Sequence, residues 1–140
     1  MSSPDVQTPD AHAAPADATP YDQIGGAETV QRFVDRFYDL MRDDPQYAAL
    51  RALHADDLTP MRASLAGFLN GWLGGPRDWF AQHPGLCMMS AHAAIPVSYE
   101  TARQWTHAMA RAMDETGVSP ELARQINTAF ERMSQGMAAR

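Results

Sequence analysis

The 140-residue sequence predicts an all-α fold, and three observations carry that reading. Large apolar residues recur at intervals of three and four along several stretches, the spacing that lines one face of a helix. Threonine or serine followed by proline occurs at Thr59-Pro60 and Ser119-Pro120, a capping hydroxyl ahead of a residue preset for a first helical turn. No useful length alternates apolar and polar residues with period two, so no strands are expected.

Residues 1–20 read as a disordered N-terminal extension. They hold four prolines and three aspartates, and their only large apolar residues are Met1 and Val6, too little to offset the entropy of ordering. The folded domain is expected over 21–140. Tyr21 to Ile24 forms a short helical turn stopped by Gly25-Gly26. From Ala27 a strong helix begins, with Val30, Phe33, Val34, Phe37, Tyr38 and Met41 on one face, and Asp43-Asp44-Pro45 ends it. Gln46 to Leu53 makes one or two short turns leading to His54. Thr59 caps the next helix, whose stripe is Met61, Leu65, Phe68, Leu69, Trp72 and Leu73, and Gly74-Gly75-Pro76 stops it.

Pro76 to Pro84 reads as irregular, anchored by Trp79 and Phe80, and Leu86 to His92 as a short helix. Ser98 caps a helix whose stripe includes Ala102, Trp105, Met109 and Met113, closed by Gly117. The last helix starts at Ser119-Pro120-Glu121 and presents Leu122, Ile126, Phe130, Met133 and Met137.

Composition narrows the function. A net charge of −6 argues against nucleic acid, which needs a basic face. All eleven basic residues are arginine, so lysine-based covalent chemistry is excluded. The single Cys87 rules out an internal disulfide and any multi-cysteine metal centre. No apolar run approaches the roughly 20 residues needed to span a bilayer, and the N-terminus lacks the basic and apolar regions of a secretory signal. A cytoplasmic setting is expected.

Two readings of the core stay open from the residues alone. Tyr38, His54, Trp72, Trp105 and His92 stand on or beside faces that should meet, and a buried hydroxyl or indole N–H must find a partner. These groups either bond neighbouring carbonyls or surround a ligand. His92 sits between the apolar segments Leu86–Ala91 and Ala93–Val97, surroundings that suit either a satisfied core residue or a nitrogen donor to iron.

The chain resembles a truncated haemoglobin of the second group. The resemblance covers about residues 21–135. It is carried by Gly25-Gly26, Arg36-Phe37-Tyr38, Leu53-His54-Ala55-Asp56-Asp57-Leu58, Phe68-Leu69-Asn70-Gly71-Trp72-Leu73-Gly74-Gly75-Pro76, and His92-Ala93-Ala94-Ile95-Pro96-Val97. The most specific part is Trp-x-Gly-Gly-Pro with a histidine sixteen residues beyond the proline and Trp105 thirteen further on.

The resemblance implies a two-over-two helical sandwich around haem b, iron protoporphyrin IX. It implies His92 as the proximal iron ligand, with Tyr38 and Trp105 as distal donors to the bound ligand. His54 falls at the haem edge, where it donates to ligand, holds Tyr38, or only covers the porphyrin. Met61 and Leu65 match the distal helix over the iron, and Phe68, Trp79, Met88 and Ile95 would complete the pocket. The ligands implied are dioxygen, nitric oxide, carbon monoxide, peroxide or sulfide, with a reductase if the protein turns over, in a monomer or weak homodimer. Tyr38, Trp105 and His54 would carry any nitric oxide or peroxide detoxification. The nearest alternatives are an oxygen sensor or store without turnover, and a haem-free helical interaction domain.

Departures from the family pattern lie around the haem propionates. Met89, Ser90 and Ala91 stand where a basic residue is usual, and Trp79 stands where a tyrosine often helps, leaving Arg62 and Arg77 as the candidate anchors. His83 matches a family His-Pro pair displaced by two residues and reads as a solvent-facing loop residue. His12 lies in the tail, and His107 reads as surface.

Overall fold

The computed structural model describes residues 18–82 and 98–137, the last four as backbone only. Among the described residues the elements are α1 (Pro20–Ile24), α2 (Gly26–Asp43), a 3₁₀ turn (Pro45–Tyr47), α3 (Ala48–Arg51), α4 (Thr59–Trp72), α5 (Asp78–Gln82), α6 (Tyr99–Glu115) and α7 (Pro120–Met137). No strand occurs among them. Helix α2 packs against α4, α6 packs against α7, and α2 also packs on α6, giving the two-over-two arrangement.

The core follows the stripes. Val30, Phe33, Val34 and Phe37 of α2 are fully buried, with Tyr38 and Met41 nearly so. They meet Leu69 of α4, Met109 and Met113 of α6, and Phe130 of α7 in one cluster. Truncating a phenylalanine so enclosed typically costs about 3–5 kcal/mol.

Helix α1 begins at Pro20, one residue ahead of the expected domain start, because Thr19 caps it. The Thr19 hydroxyl accepts from the Asp22 amide at 3.2 Å, while the Asp22 carboxylate accepts from the Thr19 amide at 3.3 Å. Gly25 and Gly26, at φ +112° and +77°, then turn the chain directly into α2.

Two expectations are corrected. Thr59 is the first residue of α4 rather than its cap; Asp57, two residues earlier, accepts from the Thr59 amide at 3.0 Å, a carboxylate being the stronger acceptor at a positive helix start. The stretch from Pro76 is not irregular throughout, because Asp78–Gln82 makes one helical turn, α5. Its Trp79 and Phe80 rings lie 5.3 and 5.4 Å from that of Phe68.

The glycines after α4 form a joint. Gly74 sits at φ +101°, and a Cβ on Gly75 would come within 2.5 Å of the Tyr21 ring. The Tyr21 amide donates to the Leu73 carbonyl at 2.9 Å, and the Gly75 amide to that of Asn70 at 2.7 Å. A Cβ on Gly71 would meet Phe80 at 2.6 Å. Ser98 caps α6 as expected, in a reciprocal box with Thr101. The Ser119 hydroxyl accepts from the Leu122 amide at the start of α7.

Candidate functional site

Tyr38 stands near the C-terminal half of α2, 3% exposed, on the same stripe that builds the core. Burial pushes its phenol well above the ordinary value near 10, with the neighbouring Arg62 charge pulling the other way. The group is therefore a protonated donor at any physiological pH. Its hydroxyl has no hydrogen-bond partner among the described residues.

Among the described residues, two rings and one guanidinium lie against the Tyr38 ring. Phe37 packs edge-on at 4.9 Å and His54 edge-on at 6.0 Å, and the Arg62 guanidinium lies 5.8 Å from the ring centroid. His54 follows α3, and its Nδ1 lies 2.9 Å from the Leu50 carbonyl oxygen. A carbonyl only accepts, so Nδ1 carries a proton and donates to it.

Trp105 of α6 reaches the same region from the other layer. It packs edge-on against Phe37 at 5.4 Å and against Phe130 at 5.1 Å. Its indole N–H, like the Tyr38 hydroxyl, finds no acceptor among the described residues. The two rings share Phe37 as a neighbour, which brings a phenol and an indole without hydrogen-bond partners among the described residues to one region between α2 and α6.

The α4 residues form a graded face. Phe68 is buried, Leu65 half-buried, and Met61 is 39% exposed. These positions are separated by four and three residues and so share one side of α4. His92, Met88 and Ile95 lie outside the described residues, as do His83, Cys87, Met89 and the short helix expected over 86–92.

The expected propionate anchors are otherwise engaged. Arg62 donates to the Asp35 carbonyl at 3.0 Å and forms ion pairs with Asp35 and Asp39, at 3.3 and 2.7 Å. The Arg77 guanidinium lies 4.4 Å from the Phe80 ring centroid. The Trp79 indole donates to the Ser64 hydroxyl at 3.1 Å, tying α5 to α4. Arg62 is better described as a neighbour of Tyr38, which sequence reasoning missed. The available signal was Asp35 and Asp39, one turn apart on α2 and facing a basic residue.

A separate polar cleft of about 470 Å³ lies between the 3₁₀ turn, α6 and α7, and includes Gln46, Tyr47, Arg103, His107 and Asn127. It contains none of the expected site residues. His107 is exposed as expected, yet its Nδ1 shares a hydrogen bond of 2.7 Å with the hydroxyl of the buried Tyr47. The Tyr47 oxygen in turn accepts from Arg111, which pairs with Asp44 at 2.9 Å. This network pins α6 to the end of α2.

Comparison with known proteins agrees with this fold. The pattern of the bacterial-like globin family matches residues 19–139. The group 2 truncated hemoglobin YjbI of Bacillus subtilis (strain 168) is 31% identical over 103 residues, 74% of this chain and 75% of that protein. Among solved structures, the group II 2-on-2 hemoglobin of Agrobacterium tumefaciens superposes with a TM-score of 0.84 at 32% identity, covering 91% of this chain and 98% of its own. The cold-adapted truncated hemoglobin of Pseudoalteromonas haloplanktis TAC125 gives 0.83 at 28% identity, covering 88% and 99%. The truncated oxygen-avid haemoglobin of Bacillus subtilis gives 0.79 at 28%, covering 87% and 100%. A two-over-two helical fold, two unmatched donors beside Phe37 and this likeness along the whole domain lead to one conclusion: the chain belongs to the bacterial-like globins, as a group II truncated haemoglobin, a haem-based ligand-binding protein.

Proposed function

We propose that this chain binds haem b through His92 and holds dioxygen or a related small ligand beneath Tyr38 and Trp105, releasing it slowly. The observation that carries this reading is the pair of unmatched donors, one phenol and one indole, on different helices against Phe37. Bound haem supplies an iron centre that accepts a small ligand and exchanges electrons with it. Phe37, Leu65 and Phe68 keep the pocket apolar, and Met61 covers its outer edge. The high proton affinity of the Tyr38 phenol keeps it a donor rather than a phenolate. The Nδ1–H of His54 donates to the Leu50 carbonyl, which fixes the ring beside Tyr38.

Two donations to a ligand that has gained negative charge are worth about 1.5–3 kcal/mol each. Together they slow escape by one to several orders of magnitude. The same donors suit polarising a peroxide or retaining nitric oxide, and turnover in the cytoplasm would then require a reductase. Nitric oxide, carbon monoxide, peroxide and sulfide are all small enough for this role.

The purified protein is expected to show a Soret band that His92→Ala weakens or shifts. Tyr38→Phe combined with Trp105→Phe is expected to accelerate dioxygen release by at least tenfold in stopped flow, about 1.4 kcal/mol. Unchanged release in that double variant overturns the retention role. One observation favours a haem-free helical domain: Arg62 is already satisfied by Asp35 and Asp39, so it offers nothing to a propionate. Absence of a Soret band after haem titration would decide for that reading.

A further inference from the structure

The aromatic residues of the core are not scattered. Tyr38 packs on Phe37 at 4.9 Å, Phe37 on Trp105 at 5.4 Å, Trp105 on Phe130 at 5.1 Å, and Phe130 stacks on Trp72 at 5.1 Å with planes 22° apart. The row runs from the two donors of the ligand pocket to Trp72, a half-buried side chain near the end of α4. Its indole N–H has no hydrogen-bond partner among the described residues. Phe68, Trp79 and Phe80 form a second aromatic group, in which Trp79 is tied through its N–H to Ser64.

Indole is among the most easily oxidised side chains, whereas a phenylalanine ring is too hard to oxidise to serve as a stop. Phe130 lies 5.1 Å from each indole, so the two indole centroids are no farther apart than twice that distance. A fully buried Phe130 makes this gap packed matter rather than void. An electron can therefore cross from Trp72 to Trp105 in one step, and the Trp72 N–H can lose its proton to solvent.

We infer that Trp72 is the surface point at which a small phenolic reductant delivers electrons, relayed past Phe130 to Trp105, when the haem protein reduces a hydroperoxide. The inference rests on the haem reading above. Each electron lost from the Trp72 indole is followed by its N–H proton, which leaves to solvent. The resulting neutral indolyl radical takes a hydrogen atom from the phenol, restoring tryptophan and leaving a phenoxyl radical. Two such deliveries and the two released protons reduce hydrogen peroxide: the O–O bond breaks, two waters form, and two phenols have each lost one hydrogen atom.

The test treats the haem-loaded full chain with hydrogen peroxide in the presence of a nitroso spin trap and maps the adduct by peptide mass spectrometry. The adduct is expected on Trp72. In Trp72→Phe it should be lost from that site and found on Trp105, with the Soret band and its rate of change under peroxide retained and guaiacol oxidation diminished. Tyr99→Phe, altering an exposed tyrosine outside the row, should leave the wild-type pattern intact. An adduct that maps to Tyr99 or Trp79 and never to Trp72 in the wild-type chain overturns the inference without recourse to any variant, and so does guaiacol oxidation indifferent to Trp72→Phe. A chain with no Soret band would remove the haem reading itself, and this inference with it.

Discussion

The Arg62 guanidinium lies 2.7 Å from the Asp39 carboxylate, and this pair, with the Asp35 carbonyl, clamps α4 to α2 beside the Tyr38 ring. The side chains of Arg62 and Asp39 are 20% and 36% exposed, so solvent weakens their attraction without abolishing it. Arg62→Met is expected to lower stability by about 1–2 kcal/mol in urea unfolding. Arg42→Met, which breaks only exposed pairs with Asp39 and Asp43, should change it by less than about 0.5 kcal/mol. Equal effects would mean that the clamp adds nothing.

Tyr38→Phe should act in opposite directions in the two forms of the protein. In the haem-free chain it removes a hydroxyl that has no hydrogen-bond partner among the described residues, so stability should be unchanged or should rise by up to about 1 kcal/mol. In the haem-loaded chain it should speed ligand release. Thermal unfolding of the apoprotein and stopped-flow kinetics of the loaded protein check the two halves separately.

Asp44 should report on acid stability. Hydrogen bonds from the Gln46 side chain and amide, and from Arg111, hold its carboxyl at about 2, below the usual 3.8. A carboxylate depressed on folding stabilises the native state above the unfolded value and loses that contribution as pH falls toward the folded one. Wild-type stability should therefore fall more steeply than that of Asp44→Asn between about pH 4 and pH 2, with the two curves parallel above pH 5. Parallel curves throughout would show that the bonds are not retained in solution.

The glycines separate strain from crowding. Gly117 lies at φ +85° with nothing near a Cβ, so Gly117→Ala should cost about 1 kcal/mol from backbone strain alone. Gly74 adds a Cβ contact of 2.7 Å with Thr19 to the same kind of strain, and Gly74→Ala should cost on the order of 2–4 kcal/mol. Chemical denaturation of both variants gives the ranking.

Most of the architecture was legible because the long helices carry their own evidence. The α2 stripe from Val30 to Met41 is buried as its spacing requires, and Ser98 and Ser119 cap where serine precedes a helical pattern. Helix α5 was missed because a single turn shows no period, and its Trp79 and Phe80 were read only as anchors. The order Thr59-Pro60 points to a threonine cap, while Asp57 competes from two residues away. Tyr38 and Trp105 were found through family likeness; their convergence on Phe37 depends on how α2 crosses α6. The roles of Arg62 and of the Tyr47–His107 bond were not legible, since each joins residues from helices whose adjacency no local pattern states.

The seam between the first turn of the fold and the exit of α4 has an evolutionary consequence. The Tyr21 ring fills the space that a side chain at 75 would need, and Thr19 occupies that of one at 74. Homologous sequences should therefore vary at positions 19, 21, 74 and 75 as a set, with anything larger than glycine at 75 tolerated only where position 21 has lost its ring.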